Sequence, residues 1–152
     1  MYGKSFPANV NDDPVIPIGK AKVVSMGKDV TLISYGIGMS HTLEADKKLK
    51  ELGISSEIID LRTIRPIDFE TIIESIKKTN RCVTVEESFP VCSIGSYIGS
   101  QIMIRAFDYL DAPVLNCTGK DVPMPYAENL EKAALITPDE IVFSVKQVLY
   151  KD

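Results

Sequence analysis

The chain has 152 residues, 45% of them hydrophobic and 25% charged, with a net charge of −4 and a pI near 5.1, which fits one globular domain. The acidic balance argues against a duplex-binding surface and an anionic-membrane anchor, and no apolar run approaches the ~20 residues of a membrane span. Cys82, Cys92 and Cys117, an odd count without a CxxC and with a single histidine, read as free thiols in a reducing compartment rather than as a zinc site.

Residues 1–17 carry three prolines and no periodicity. They read as a linker or arm, as if the chain continued from a larger one, with the domain proper over 18–152. No signal peptide or Arg-rich transit pattern is visible there. Lys20–Met26 alternates weakly and is predicted as an edge strand. Gly27-Lys28-Asp29 leaves room only for a tight turn into Val30, which predicts two antiparallel strands. Val30–Arg62 then reads as strand, glycine turn, helix and strand, the length of a parallel crossover. Val30–Tyr35 is the first of these strands. Ser40 is a candidate helix cap, Thr42, Ala45, Leu49 and Leu52 form one stripe, and Gly53 ends the helix. Ile58-Ile59 lies in the next strand, which closes at Asp60-Leu61-Arg62.

Pro66 keeps Arg65 out of helical geometry, and Asp68 is a good N-cap for a helix whose apolar face is Phe69, Ile72, Ile73 and Ile76. Glu74 and Lys78 are spaced to pair on its outside. Arg81–Glu87 is a strand. The helix over Ile94–Leu110 is apolar most of the way round, with small residues recurring at Gly95/Gly99 and Ser96/Ser100. Such a helix either packs twice, on its own sheet and against a neighbour, or uses its small residues only to sit close to that sheet. Gly95, Gly99, Ile98 and Ile102 are the expected interface residues. Ala112–Thr118 is the last strand, with Pro113 at its start. A proline-stiffened loop follows, and Thr137-Pro138-Asp139-Glu140 opens a final helix with a capping box. Five strands and four helices predict a three-layer α/β/α sandwich on a mostly parallel sheet with one antiparallel edge strand.

Three constellations bear on chemistry. Gly36-Ile-Gly38-Met-Ser-His41 with Asp60 resembles a dinucleotide fingerprint whose third glycine has become His41, against the plain reading of a glycine turn. Asp12-Asp13, Asp60, Thr84 and Lys120 are the residue types of a phospho-receiver site, but the acidic pair sits in the arm. Ser88 and Cys92 follow a strand end beside Glu86 and Glu87 with no histidine nearby in sequence. No complete catalytic, cofactor-binding or metal set emerges.

Longer strings carry a resemblance. Ile16-Pro-Ile-Gly-Lys-Ala-Lys22, Ile59-Asp-Leu-Arg-Thr-Ile-Arg-Pro-Ile-Asp68, Lys77-Lys-Thr-Asn80, Val83-Thr-Val-Glu-Glu87, Phe107-Asp-Tyr-Leu-Asp-Ala-Pro113 and Thr118-Gly-Lys-Asp-Val-Pro-Met-Pro-Tyr-Ala127 resemble the beta subunits of pyruvate dehydrogenase, more narrowly their C-terminal, transketolase-C-like domain. The resemblance runs from about Tyr2 to Leu149. It implies a five-stranded mixed sheet, a subunit about twice this long, and a missing pyrimidine-binding half. Thiamin diphosphate and magnesium would belong to the full enzyme and not be bound by this stretch.

The implied partners are an alpha subunit, a second beta subunit in a heterotetramer, and the basic subunit-binding domain of dihydrolipoyl acetyltransferase. By position Asp111 matches a docking acid, although read alone it is a loop acid before proline. Tyr150, Lys151 and Asp152 fall where the family's chain end takes part in docking. The implied location is the mitochondrial matrix, or a bacterial cytoplasm. One departure is Ser93-Ile-Gly95 where the family usually has glycine-x-glycine, with an unusual Cys92 before it.

Overall fold

The computed structural model describes residues 15–151; the acidic pair Asp12-Asp13, most of the expected arm and Asp152 lie outside them. Five strands form one sheet: β1 (Lys22–Ser25), β2 (Val30–Ser34), β3 (Ser56–Asp60), β4 (Cys82–Val85) and β5 (Leu115–Cys117). Five α-helices accompany them: α1 (Gly38–Glu51), α2 (Phe69–Thr79), α3 (Ile94–Ala106), α4 (Glu128–Ala134) and α5 (Pro138–Val148). The strand order is β1-β3-β2-β4-β5, with β1 antiparallel to β3 and every other pair parallel.

Alternation along the strands builds two cores. Leu32, Ile58, Val83 and Val85 face α1 and α5 on one side, joined by Leu49, Ile141 and Val145. Ile33, Ile59 and Cys82 face α2 and α3 on the other, joined by Ile72, Ile76, Ile98 and Ile102. The result is the expected α/β/α sandwich, its central strands buried on both faces as parallel strands require.

Several expectations are corrected. The tight connection after β1 does not make a hairpin with β2, because β1 lies beyond β3. The loop instead crosses the start of β3: the Lys28 and Asp29 amides donate to the Ser55 carbonyl, and the Ser55 amide donates to the Asp29 carboxylate. A Cβ on Gly27 would stand 2.1 Å from the Ser56 carbonyl carbon, so only glycine lets the crossing pass so close. Ser40 lies inside α1, which begins two residues earlier without a side-chain cap. Leu52 is 55% exposed, while the polar Asp46 is buried on the α1 stripe, bonded to Ser56 and Lys50. Glu74 pairs with Lys77, and Lys78 reaches across to Glu57. The long helix stops at Ala106 and tightens into a single 3₁₀ turn, Phe107–Tyr109. The fifth helix, α4, was not anticipated; it is one short stretch without a side-chain cap, steadied by the Glu128–Lys132 pair.

Candidate functional site

In an open α/β sheet, ligands collect beyond the carboxyl ends of the strands, where neighbouring connections leave toward opposite faces. Here that place lies between β2 and β4, whose following helices α1 and α3 pack on opposite sides. The protein's own groups fill it. The Ser34 hydroxyl donates to the Val85 carbonyl at 2.8 Å. The buried Glu86 carboxylate accepts from the Tyr35 hydroxyl and from the Gly95 amide at the start of α3, both at 2.8 Å. Burial, reinforced by the hydrogen bond and charge of Glu86, pushes the Tyr35 phenol above its usual range. Beside it, Asn116 links Thr84 to Ser93 and Ser96.

This cluster explains the start of α3. A Cβ on Gly95 would lie 2.3 Å from Asn116 Oδ1, 2.6 Å from Glu86 Oε1 and 2.7 Å from Thr84 Oγ1. Ser93 is the N-cap: its hydroxyl accepts from the Ser96 amide at 3.1 Å.

The three chemical constellations are not assembled. Asp60 accepts from the Arg62 amide, closing its own loop. Thr84 bonds Asn116, and Lys120 pairs with Glu140, so the receiver-type residues have other partners. His41 sits 4.0 Å from Glu87, and the Ser88 hydroxyl donates to a neighbouring carbonyl. A dinucleotide is not favoured, because the crevice holds an aromatic ring and a carboxylate. Among the described residues no three His, Cys, Asp or Glu side chains converge to hold a metal. No reaction step is therefore assigned to these residues.

A different feature stands open. A groove of about 610 Å³ runs between α3 and the chain around β5. Gly99, Ser100, Met103 and Phe107 form one wall, Val114 and Asn116 the other, and Asp111 and Tyr150 close one end. Gly95 and Gly99 line it. Ile98 and Ile102 do not: at 1% and 0% exposure they lie in this chain's own core. Their assignment to an interface is corrected by the helical phase, which turns Met103, Ile104 and Phe107 outward instead, Ile104 being 73% exposed.

Asp111 is exposed but partnered. Its Oδ2 lies 3.3 Å from Arg81 Nη2, and Arg81 Nε donates to the Val148 carbonyl at 3.0 Å. The Asp111 amide donates to the Asn80 carbonyl, and the Tyr150 hydroxyl donates to the Asp111 carbonyl at 3.3 Å. Tyr150 takes a left-handed φ of 53°, after which the Lys151 amide closes back on the Lys146 carbonyl. The structure thus brings Asp111 and Tyr150 together, with Lys151 following, and adds Arg81. Nothing in the sequence pointed to Arg81, thirty positions from the acid it pairs.

Comparison with known proteins agrees with this architecture. The family profile described as transketolase, C-terminal domain, matches residues 19–141. The chain is 57% identical to the pyruvate dehydrogenase E1 component subunit beta of Rhizobium meliloti, over 99% of this chain and 33% of the relative. It is 49% identical to the mitochondrial subunit beta of Caenorhabditis elegans, over 98% and 44%, and 49% identical to the mitochondrial subunit beta-2 of Oryza sativa, over 99% and 41%. It therefore spans between a third and a half of these relatives' length. Among solved structures, a split gene transketolase described as an inactive beta4 tetramer superposes with a TM-score of 0.79 at 29% identity, over 95% of this chain and 46% of that one. A 2-oxoglutarate:ferredoxin oxidoreductase from Magnetococcus marinus, at TM-score 0.53 and 15% identity over 86% of this chain and 19% of that one, shares the fold alone. With the profile covering most of its length, the chain belongs to the transketolase C-terminal domain family.

Proposed function

We propose that this chain is the C-terminal domain of the beta subunit of a thiamin-dependent pyruvate dehydrogenase, serving assembly and docking rather than the chemical step. The observation that carries this reading is the 57% identity to a subunit beta across 99% of the chain. In the whole enzyme, pyruvate is decarboxylated and its acetyl group passed to a lipoyl carrier, with the cofactor held outside this domain. The apolar face of α3 meets a second beta subunit, and an alpha subunit completes the heterotetramer. Relatives named mitochondrial and bacterial relatives both match, and the reading places this chain in the mitochondrial matrix or, in a bacterium, the cytoplasm.

Asp111, Tyr150, Lys151 and Asp152 form the docking end for the basic subunit-binding domain of the acyltransferase. Because Arg81 already neutralises Asp111, an incoming cation has to share that carboxylate. Asp111→Ala is expected to weaken docking by about 1–3 kcal/mol in calorimetry. Unchanged affinity would remove Asp111 from the site. Docking is also expected to weaken with added salt, as screened attraction requires. The parent reading is tested by sequencing the coding DNA upstream of Met1. An in-frame pyrimidine-binding domain supports it, and an in-frame stop directly ahead of Met1 overturns it.

A further inference from the structure

A second cavity, of about 560 Å³, lies away from the groove, where the loop after β3 meets the first turns of α2 and α3. Ile64, Pro66, Phe69, Ile94 and Tyr97 give it apolar walls, and Arg65 stands in its lining. The Arg105 guanidinium covers the Phe69 ring at 4.6 Å, and Tyr97 meets that ring edge-on at 6.1 Å. Both cations are uncompensated: among the described residues neither Arg65 nor Arg105 has a carboxylate within 4.0 Å. Among the described residues Arg105 donates only to Gln101. The adjacent acids are engaged elsewhere. Asp68 is bonded by Ala21 and Thr71, and Glu70 by Lys20. An apolar pocket with a positive rim on a chain of net charge −4 selects an occupant that is apolar at its centre and negative at its edges.

We propose that this pocket docks an acidic peptide segment of a partner protein, with an aromatic or aliphatic side chain seated against Tyr97 and Ile94 and flanking carboxylates on Arg65 and Arg105. A second copy of this chain is a poor occupant, since a two-fold contact through this patch sets the same guanidiniums against each other. Two cations are also fewer than the cluster a membrane surface requires. The inference does not depend on the subunit reading above and is tested separately from it.

The test is fluorescence anisotropy of the full 152-residue chain with the labelled peptide Asp-Asp-Phe-Leu-Glu-Glu, against the same peptide with lysine at each acidic position. The acidic peptide is expected to saturate and to release with added salt, while the lysine peptide does not bind. Arg65→Glu and Tyr97→Ala, both at exposed positions, are expected to weaken binding roughly tenfold with an unchanged circular dichroism melt. Equal binding of the two peptides, unchanged affinity in both variants, or no saturation overturns the proposal. Tighter binding after Asp12→Asn and Asp13→Asn would assign the pocket to the chain's own acidic pair and overturn a separate partner.

Discussion

Gly95 and Gly99 occupy the same helix one turn apart, and their surroundings give them opposite roles. A methyl group on Gly95 collides with three fixed oxygens at 2.3–2.7 Å, so Gly95→Ala is expected to lower stability by about 1–3 kcal/mol through overpacking. Gly99 meets only Val114, at 3.7 Å, so Gly99→Ala is expected to raise stability by about 0.5–1 kcal/mol through helix propensity. Chemical denaturation of the two variants checks both signs. Asp68 is a third decisive residue: it caps α2 through the Thr71 amide and ties down the approach to β1 through the Ala21 amide. Burial alone would raise its pKa, but the Ala21 and Thr71 bonds and the Lys20 charge outweigh it and hold the carboxyl below its ordinary value. A depressed folded pKa stabilises the fold above the unfolded value of about 4, and that contribution is lost as pH falls through the folded one. Asp68→Ala is expected to cost about 1–3 kcal/mol at neutral pH and to flatten the acid limb of a stability-versus-pH curve. A parallel acid limb would remove Asp68 as its source.

At the scale of elements, α5 closes the core beside α1, and its start depends on a reciprocal cap. The Thr137 hydroxyl accepts from the Glu140 amide, and the Glu140 carboxylate accepts from the Thr137 amide while pairing with Lys120. Thr137→Ala is expected to lower stability by about 0.5–2 kcal/mol in thermal or urea melts. This cap was legible in the sequence because it is local, four residues whose chemistry names their geometry. So were the Asp68 cap, the apolar strands and the strand–helix–strand unit of Val30–Arg62. What was not legible is long-range. Whether β1 joins β2 or β3 depends on Gly27 passing over Ser56, a contact between residues twenty-nine apart. The phase of α3 was hidden because apolar residues surround it, so periodicity could not separate the buried Ile98 and Ile102 from the exposed Ile104. The Arg81–Asp111 pair joins two loops that no local pattern connects.

For the whole molecule, the outer face of α3 is the part its own fold leaves unfinished. Met103, Ile104 and Phe107 are exposed on or just beyond one helix, beside a groove floored by small residues. A contiguous apolar surface of this kind is covered by another chain more often than left to water. If a second copy covers it, sedimentation velocity at micromolar concentrations is expected to report a dimer. Ile104→Glu places a charge at the centre of that contact on a side chain contributing little to the core, so it is expected to yield monomers that keep the native circular dichroism spectrum and lose only the stability that dimerisation adds. Gly99→Ala sharpens the distinction. It strengthens the single chain while thickening the groove wall, so its melting temperature should rise in the monomeric Ile104→Glu background even as dimerisation weakens in the wild-type one. A fold defect cannot produce that opposition, since it would move both quantities downward. A dimer unaffected by either substitution would place the contact on another surface.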